Sequence, residues 1–316
     1  MAEVINKATR ESFGMALCEL AKTNDDIVVL DADLAAATKT SIFQKAYPER
    51  FIDCGIAEGN MIGVSAGLAA AGKVPFAASF AMFATGRAYE QIRNSVAYPC
   101  LNVKIAGSHA GISTGEDGAT HQCCEDIALM RTLPGMTVLN PADHYEMIEA
   151  VKAAYAHKGP VYIRLGRLAV DSFNDPATYK FELGKGITLC QGNDITIIAT
   201  GLVVRESLLA CEELKAKGIN ARLINIHTIK PIDRDIIIKA AKETGRIVTV
   251  EEHNVIGGLG DAVCDVVSAE CPVKVTKIGV NDKFGYSGPA KELLEIFGLC
   301  KDNIAKVVAD IVNNEK

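Results

Sequence analysis

The stretch GSHAGISTGEDGATHQ at residues 107–122 constrains this chain more than any other. It carries neither a helical nor a strand period, so it is not a stretch that packs as a regular element. Gly107, Gly111, Gly115 and Gly118 let the backbone approach a bound group closely or take positive φ. His109, Glu116, Asp117 and His121 add acids, bases and hydrogen-bond donors. Taken singly, each of these residues would suit a solvated turn; together they read as a loop built to hold a ligand. The apolar run at 101–106 (LNVKIA) reads as a buried parallel strand. The loop therefore belongs at that strand's carboxyl end, where open α/β sheets bind their ligands.

The rest of the chain alternates in the same manner. Residues 9–22 have helical spacing through Phe13, Leu17 and Leu20, and 27–30 (IVVL) form a short strand ending in Asp31, Ala32, Asp33 and Leu34. Residues 50–54 are a second short strand running into GIAEGNMIGVSAGLAAAG, a helix opened by Glu58 whose small residues predict very close packing. A buried strand is expected over 74–83 and a helix from Thr85 or Gly86. A further helix opens at Glu125 and Asp126, a strand stops at Pro141, and 160–165 (PVYIRL) close the first half. Residues 171–185 are polar and turn-rich, a linker by composition. Strand and helix then alternate again through DITIIATG, VVRESLLACEELKAKG, ARLINIHTIKP and RIVTVEEH. The expectation is an α/β protein of two consecutive domains with mostly parallel sheets, 1–170 and 186–316. GGLG at 257–260 lacks the G-x-G-x-x-G spacing and a later ribose acid, so no dinucleotide site is expected there.

Composition narrows the function classes. A net charge of −6 with scattered Lys and Arg argues against nucleic acid as a partner. The polar start MAEVINKATRESFG has no signal core, and no run approaches the roughly 20 apolar residues of a membrane span, so a cytoplasmic protein without a membrane partner is expected. The 10 cysteines include no C-x-x-C pair and read as reduced, mostly buried thiols, with Cys123 or Cys124 a candidate to line the site beside His121.

A histidine followed by GEDGATHQ resembles the loop that transketolases carry on their pyrimidine-binding domain; 1-deoxyxylulose-phosphate synthases keep a shortened relative of it. DCGIAEGNMIGVSAGLA resembles the signature of the thiamine-diphosphate enzymes of the transketolase and 2-oxo acid dehydrogenase group. The resemblance implies thiamine diphosphate as cofactor and a pyrimidine-binding domain followed by a transketolase C-terminal domain. In that group one glutamate, here Glu58, engages the aminopyrimidine ring. A partly buried carboxyl sharing a proton with a ring nitrogen favours the imino tautomer, which leads to the reactive ylid. Phe83 first and Phe80 second would stack on the ring, and the family's third aromatic falls on Gly86. Asp33 and Leu34 match a loop between chains that lines the cofactor pocket. By the same resemblance His109 and His121 bond the sugar and assist proton transfer, Asp117 reads an acceptor hydroxyl, and Arg10 and Arg167, rather than Arg164, bind phosphate. A family serine of that phosphate site falls near Ala37, with Thr38 beside it. VEEHNVIGGLGDAV resembles a part of the C-terminal domain that helps the dimer, which would make His253 structural.

One part of such an enzyme is missing. Its diphosphate and metal are held by GDG followed after about thirty residues by Asn, and this chain has no such motif and so no metal ligands of its own. The resemblance therefore implies the C-terminal subunit of a split transketolase, inactive alone. An N-terminal subunit would bring the diphosphate and a divalent metal, Mg or Ca, in an assembly of two copies of each. The reaction implied moves a two-carbon ketol unit from a ketose phosphate to an aldose phosphate. The rivals are half of a 1-deoxyxylulose-phosphate synthase-like or other thiamine-diphosphate enzyme, and a noncatalytic assembly subunit. Retention of Glu58, His109, Asp117 and His121 together speaks for catalysis.

Overall fold

In the strands Ile27–Asp31, Val74–Phe80, Lys104–Ser108 and Val161–Arg164 every residue is buried. That is what a parallel sheet covered on both faces requires of its strands, and why they read as continuous apolar runs. The computed structural model describes residues 4–314, so the outermost residues of the two expected domains lie outside it. The four strands are central to a seven-stranded sheet in the order Thr228–Lys230, Thr137–Leu139, Val161–Arg164, Lys104–Ser108, Val74–Phe80, Ile27–Asp31, Phe51–Asp53. Six are parallel. The helices Thr9–Ala21 and His144–Ala156 cover one face through Phe13, Leu17, Met147 and Val151. Glu58–Ala70 and the helical segments between Met82 and Ala97 cover the other through Met61, Ile62, Ile92 and Val96.

The second sheet runs Lys274–Val280, Arg246–Asn254, Ile195–Ala199, Ala221–Asn225, Ile187–Cys190, parallel except for its last strand. Two mostly parallel α/β sheets in succession are thus the fold, as the alternation of apolar runs implies. The halves are less separate than a linker suggests. Thr228–Lys230, from the second half, pairs antiparallel with Thr137–Leu139 and covers what would be an open edge of the first sheet. Ala169–Asp171 pairs with Asn6–Ala8, and Ile237, Ile247 and Leu259 share one apolar cluster with Met130, Val138 and Tyr162.

Two local expectations are corrected. The strand expected to reach residue 83 ends at Phe80, and the chain turns helical from Met82 rather than from Thr85 or Gly86. Met82–Arg87 and Ile92–Ala97 wind as π-helix, a rare form found mostly at functional sites, so Phe83 stands on a helix and not in the sheet. The strand expected over 101–106 is displaced to Lys104–Ser108, because Leu101 still closes the preceding helix through its N–H to the Val96 carbonyl.

Candidate active site

The residues singled out from the sequence gather at the carboxyl ends of parallel strands. Glu58 begins its helix just beyond the strand Phe51–Asp53, and its side chain is only 1% exposed. A carboxylate so buried needs a partner. It has one in Arg87, whose Nη1 donates to both carboxylate oxygens at 3.0 and 2.9 Å. Arg87 follows Phe83 by four residues, and its guanidinium carbon lies 4.7 Å from the Phe83 ring centroid. Its side chain is 55% exposed, so this guanidinium is the lid over Glu58 and over one face of Phe83.

Behind that pair the rings are layered. Phe80 stacks on the His109 imidazole at 3.9 Å and 24°, and on Phe83 at 5.9 Å and 12°. His121 meets Phe80 and Phe83 edge-on at 6.1 and 5.2 Å. His109 takes φ +56°, a left-handed conformation uncommon without glycine, and its carbonyl accepts from Thr114 Oγ1 at 2.6 Å. Arg10 Nη1 lies 3.3 Å from His109 Nε2. Because guanidinium only donates, Nε2 is the acceptor, which assigns the proton to Nδ1, 2.9 Å from Ser108 Oγ. Burial first, and then the charges of Arg10 and Arg167, push the His109 pKa down to about 3. His109 is consequently a neutral hydrogen-bonding imidazole in this site.

Arg167 donates to the Thr114 carbonyl, and to Glu116 at 3.0 Å, and lies 3.8 Å from Asp117. Arg10 donates to the Ala37 carbonyl at 2.7 Å. Both arginines line one open cavity of about 510 Å³. Arg164 is elsewhere: it is buried, paired with Asp126 at 2.7 and 3.1 Å, and donates to the carbonyls of Cys123 and Glu252. Asp33 and Leu34 hang on the neighbouring strand end, their N–H groups donating to Asp53 and Asp31 rather than to the Glu58 group. Asp31 is the clamp of that loop, also accepting from Thr38 and Thr40. Burial raises its pKa to about 6, although those bonds pull the other way.

The second half of the chain shapes this site as well. Glu252 Oε1 accepts from Ser113 N at 2.6 Å. Gly111, at φ +81°, leaves room for that carboxyl, against which any Cβ would collide. Gln122 ties the carbonyls of Ile112 and Gly115 to that of Tyr286. A string that the sequence assigned to dimer contacts thus props the ligand loop within one chain. Glu251 accepts from the N–H groups of Leu259 and Gly260 at the start of the helix Leu259–Glu270, where a carboxylate complements the helix dipole. His253 is buried between Ala128 N and its neighbour's carbonyl. Cys123 lies fully buried, its thiol pKa raised well above the usual range by burial, and all ten cysteines are free. Arg87 and Glu252 were missed in the sequence. Their signals are modest: an arginine one helical turn beyond an aromatic, and an acidic pair inside an apolar strand.

The buried carboxylate, joined through Arg87 to an aromatic face, suits a heterocycle carrying a ring nitrogen and an amino group. For a metal the chain offers nothing equivalent: among the described residues no group of three His, Cys, Asp or Glu is placed to hold an ion. Nor is any described helix long and apolar enough to cross a membrane.

Residues 6–171 match the family model of the transketolase pyrimidine binding domain, and residues 184–304 that of the transketolase C-terminal domain. The chain belongs to the transketolase family. Within the family it is 50% identical, over 98% of both chains, to a protein of Methanocaldococcus jannaschii named as a transketolase C-terminal section. It is 45% identical to a 6-deoxy-6-sulfo-D-fructose transketolase subunit of a Clostridium species, covering 97% of this chain and 95% of that one. Among solved structures, a split-gene transketolase described as an inactive β4 tetramer superimposes with TM-score 0.90 at 51% identity, over 97% and 99% of the two chains. These transketolase relatives are C-terminal sections or subunits, so this chain is the C-terminal part of a split transketolase-family enzyme.

Proposed function

We propose that this chain carries the pyrimidine-binding and substrate-facing half of a thiamine-diphosphate-dependent transketolase. In this reading it works in the cytoplasm with an N-terminal subunit that supplies the diphosphate and metal site, in an assembly of two copies of each. The observation that carries the reading is the Glu58 carboxylate, 1% exposed and capped by the half-exposed side chain of Arg87, whose guanidinium lies over the Phe83 ring. Thiamine diphosphate, when bound, supplies the electron sink that lets a carbon–carbon bond beside a ketone break.

The chain's own residues do the rest. Glu58 would hold a proton at its carboxyl facing a pyrimidine nitrogen, with Arg87 turned off the carboxylate. Phe83 and Phe80 support the ring by stacking. His109, neutral and fixed by Arg10 and Ser108, presents Nε2 as an acceptor for a sugar hydroxyl without bringing a second positive charge. His121, edge-on to both phenylalanines, exchanges a proton with the sugar hydroxyl. Asp117 reads an acceptor hydroxyl, while Asp33 and Leu34 border the cofactor. Arg10 and Arg167 hold the anionic end of the substrate, as guanidinium forks do.

Similarity at 45% identity, over nearly the full length, to a subunit named for a sulfonated fructose supports a ketose donor while leaving its terminal group open. The test is reconstitution with the subunit carrying GDG and Asn, followed by a donor screen of xylulose phosphate against pyruvate. Ketol transfer is expected only in the mixture, and Glu58→Ala is expected to remove it while leaving the complex assembled. Turnover by this chain alone, activity restricted to pyruvate, or normal turnover by Glu58→Ala each refutes the reading.

A further inference from the structure

The second sheet carries a cavity of about 400 Å³ that the site around Glu58 does not use, and its walls include Cys190, Cys211, Glu212, Lys215 and Asn220. Cys190 ends the strand Ile187–Cys190, the antiparallel edge of that sheet. Cys211 lies within the helix Val203–Ala216, which packs on the same strand. The two thiols are in hydrogen-bond contact, and both are free. Their settings differ. Cys211 is 6% exposed in an apolar cluster with Val204, Leu214 and Ile219, whereas Cys190 is only partly buried. The bond from the Cys211 thiol first, and the charge of Lys215 as well, pull the Cys190 pKa down against its burial and the charge of Glu212. Cys211, which keeps the shared proton and is the deeper of the two, is shifted up. Cys18, Cys54, Cys123 and Cys124 are also shifted up, in each case first by burial. A thiol favoured as thiolate, open to a cavity and touching a second thiol, is the arrangement from which disulfide exchange proceeds. In reducing compartments the disulfides that do form are mostly transient ones of this kind.

We propose that Cys190 and Cys211 form a thiol–disulfide exchange site, in which Cys190 is modified by a small anionic disulfide and Cys211 resolves the adduct into a reversible bridge between edge strand and helix. The site is independent of the proposed reaction and of the partner subunit. Lys215, on the cavity wall, faces a carboxylate of the incoming molecule. The Cys190 thiolate attacks one sulfur of the small disulfide, whose S–S bond breaks; the sulfur released leaves as a thiolate and takes a proton from water. Cys211 then gives up its proton to water, and its sulfur attacks Cys190 Sγ and expels the second small thiolate, which is protonated in turn. Two protein thiols are oxidised, and one small disulfide is reduced to two thiols. The bridge fastens the outermost strand of the second sheet, which has a ladder partner on one side only.

The experiment treats the full-length chain with oxidised glutathione at neutral pH, blocks the remaining thiols with N-ethylmaleimide, and maps the products by intact mass and peptide mass spectrometry. The wild type is expected to lose the mass of two hydrogens, to keep no glutathione at position 190, and to yield a peptide linked through Cys190 and Cys211 that reduced glutathione reopens. Cys211→Ser keeps a donor hydroxyl but cannot resolve, so glutathione should accumulate on Cys190, about tenfold faster than on the exposed Cys100, the advantage of a thiol with a larger thiolate fraction. Cys190→Ser should leave Cys211 without an adduct. An unmodified Cys190 in the wild type, a bridge from Cys190 to any other cysteine, or glutathione retained on Cys190 while Cys211 stays reduced each overturns the proposal. So does a Cys211→Ser chain in which Cys190 reacts no faster than Cys100.

Discussion

Glu146 offers a measurement of how firmly the two halves are locked around the site. It sits in the first turn of the helix His144–Ala156, fully buried, and accepts from three directions: Ala142 N at 2.7 Å, the Tyr179 hydroxyl from the linker at 2.6 Å, and Asn225 Nδ2 from the second sheet at 2.8 Å. Burial raises its pKa from 4.5 to about 7, against the opposing pull of these bonds. The folded protein therefore keeps a proton that the unfolded chain releases above pH 4.5. Stability falls as pH rises from about 4.5 to about 7 and is flat beyond. At about 1.4 kcal/mol per pH unit the loss comes to about 3 kcal/mol. Glu146→Gln has no proton to release, so it carries a fixed cost at every pH and lacks this slope. Urea unfolding of both proteins, at one protein concentration and at intervals from pH 4.5 to 8, isolates the contribution of this one group. The gap between the two curves should change by about 3 kcal/mol, with the wild type gaining at the acid end. Parallel curves, differing by a constant within about 0.5 kcal/mol, would show that the carboxyl is not desolvated between the halves.

Other consequences are open to direct test. Asp126→Asn leaves the Arg164 guanidinium buried without its counter-charge and should cost about 3–5 kcal/mol, read by denaturant unfolding. Burial alone would raise the Asp126 pKa, but Arg164 overrides it and holds the carboxyl below the usual range. Stability from this pair is thus present at neutral pH and lost only as pH falls through that lowered value. Arg87→Ala strips the cap from a carboxylate 1% exposed, and should lower stability by about 1–3 kcal/mol; an unchanged unfolding midpoint would show that Glu58 needs no partner. The His109 ring should show a neutral, Nδ1-protonated imidazole in nitrogen NMR from pH 5 to 8, and titration near pH 6.5 would contradict its burial against Arg10.

Much of this was legible locally. The strands Ile27–Asp31 and Lys104–Ser108 announce themselves as apolar runs, because a parallel strand is enclosed on both faces. Strand ends and helix starts then place Glu58, His109 and Arg167 without further information, since the α/β alternation sends every such junction to one side of the sheet. The errors are also local: five-residue winding after Phe80 obeys neither a strand nor an α-helical period, so residues 81–83 were read as sheet.

What remained for the tertiary structure is the set of partners. Arg87 meets Glu58 across 29 residues, and Glu252 meets Ser113 across 139. Thr228–Lys230 leaves its own half to finish the first sheet. No periodicity encodes such meetings, because they follow from how sheets and helices stack once formed. The sequence by itself determined the alternating scaffold and which of its residues stand at the strand ends. The packing of helix on helix within the first half decided which carboxylate is capped, and the packing of the second half against the first decided which loop is propped.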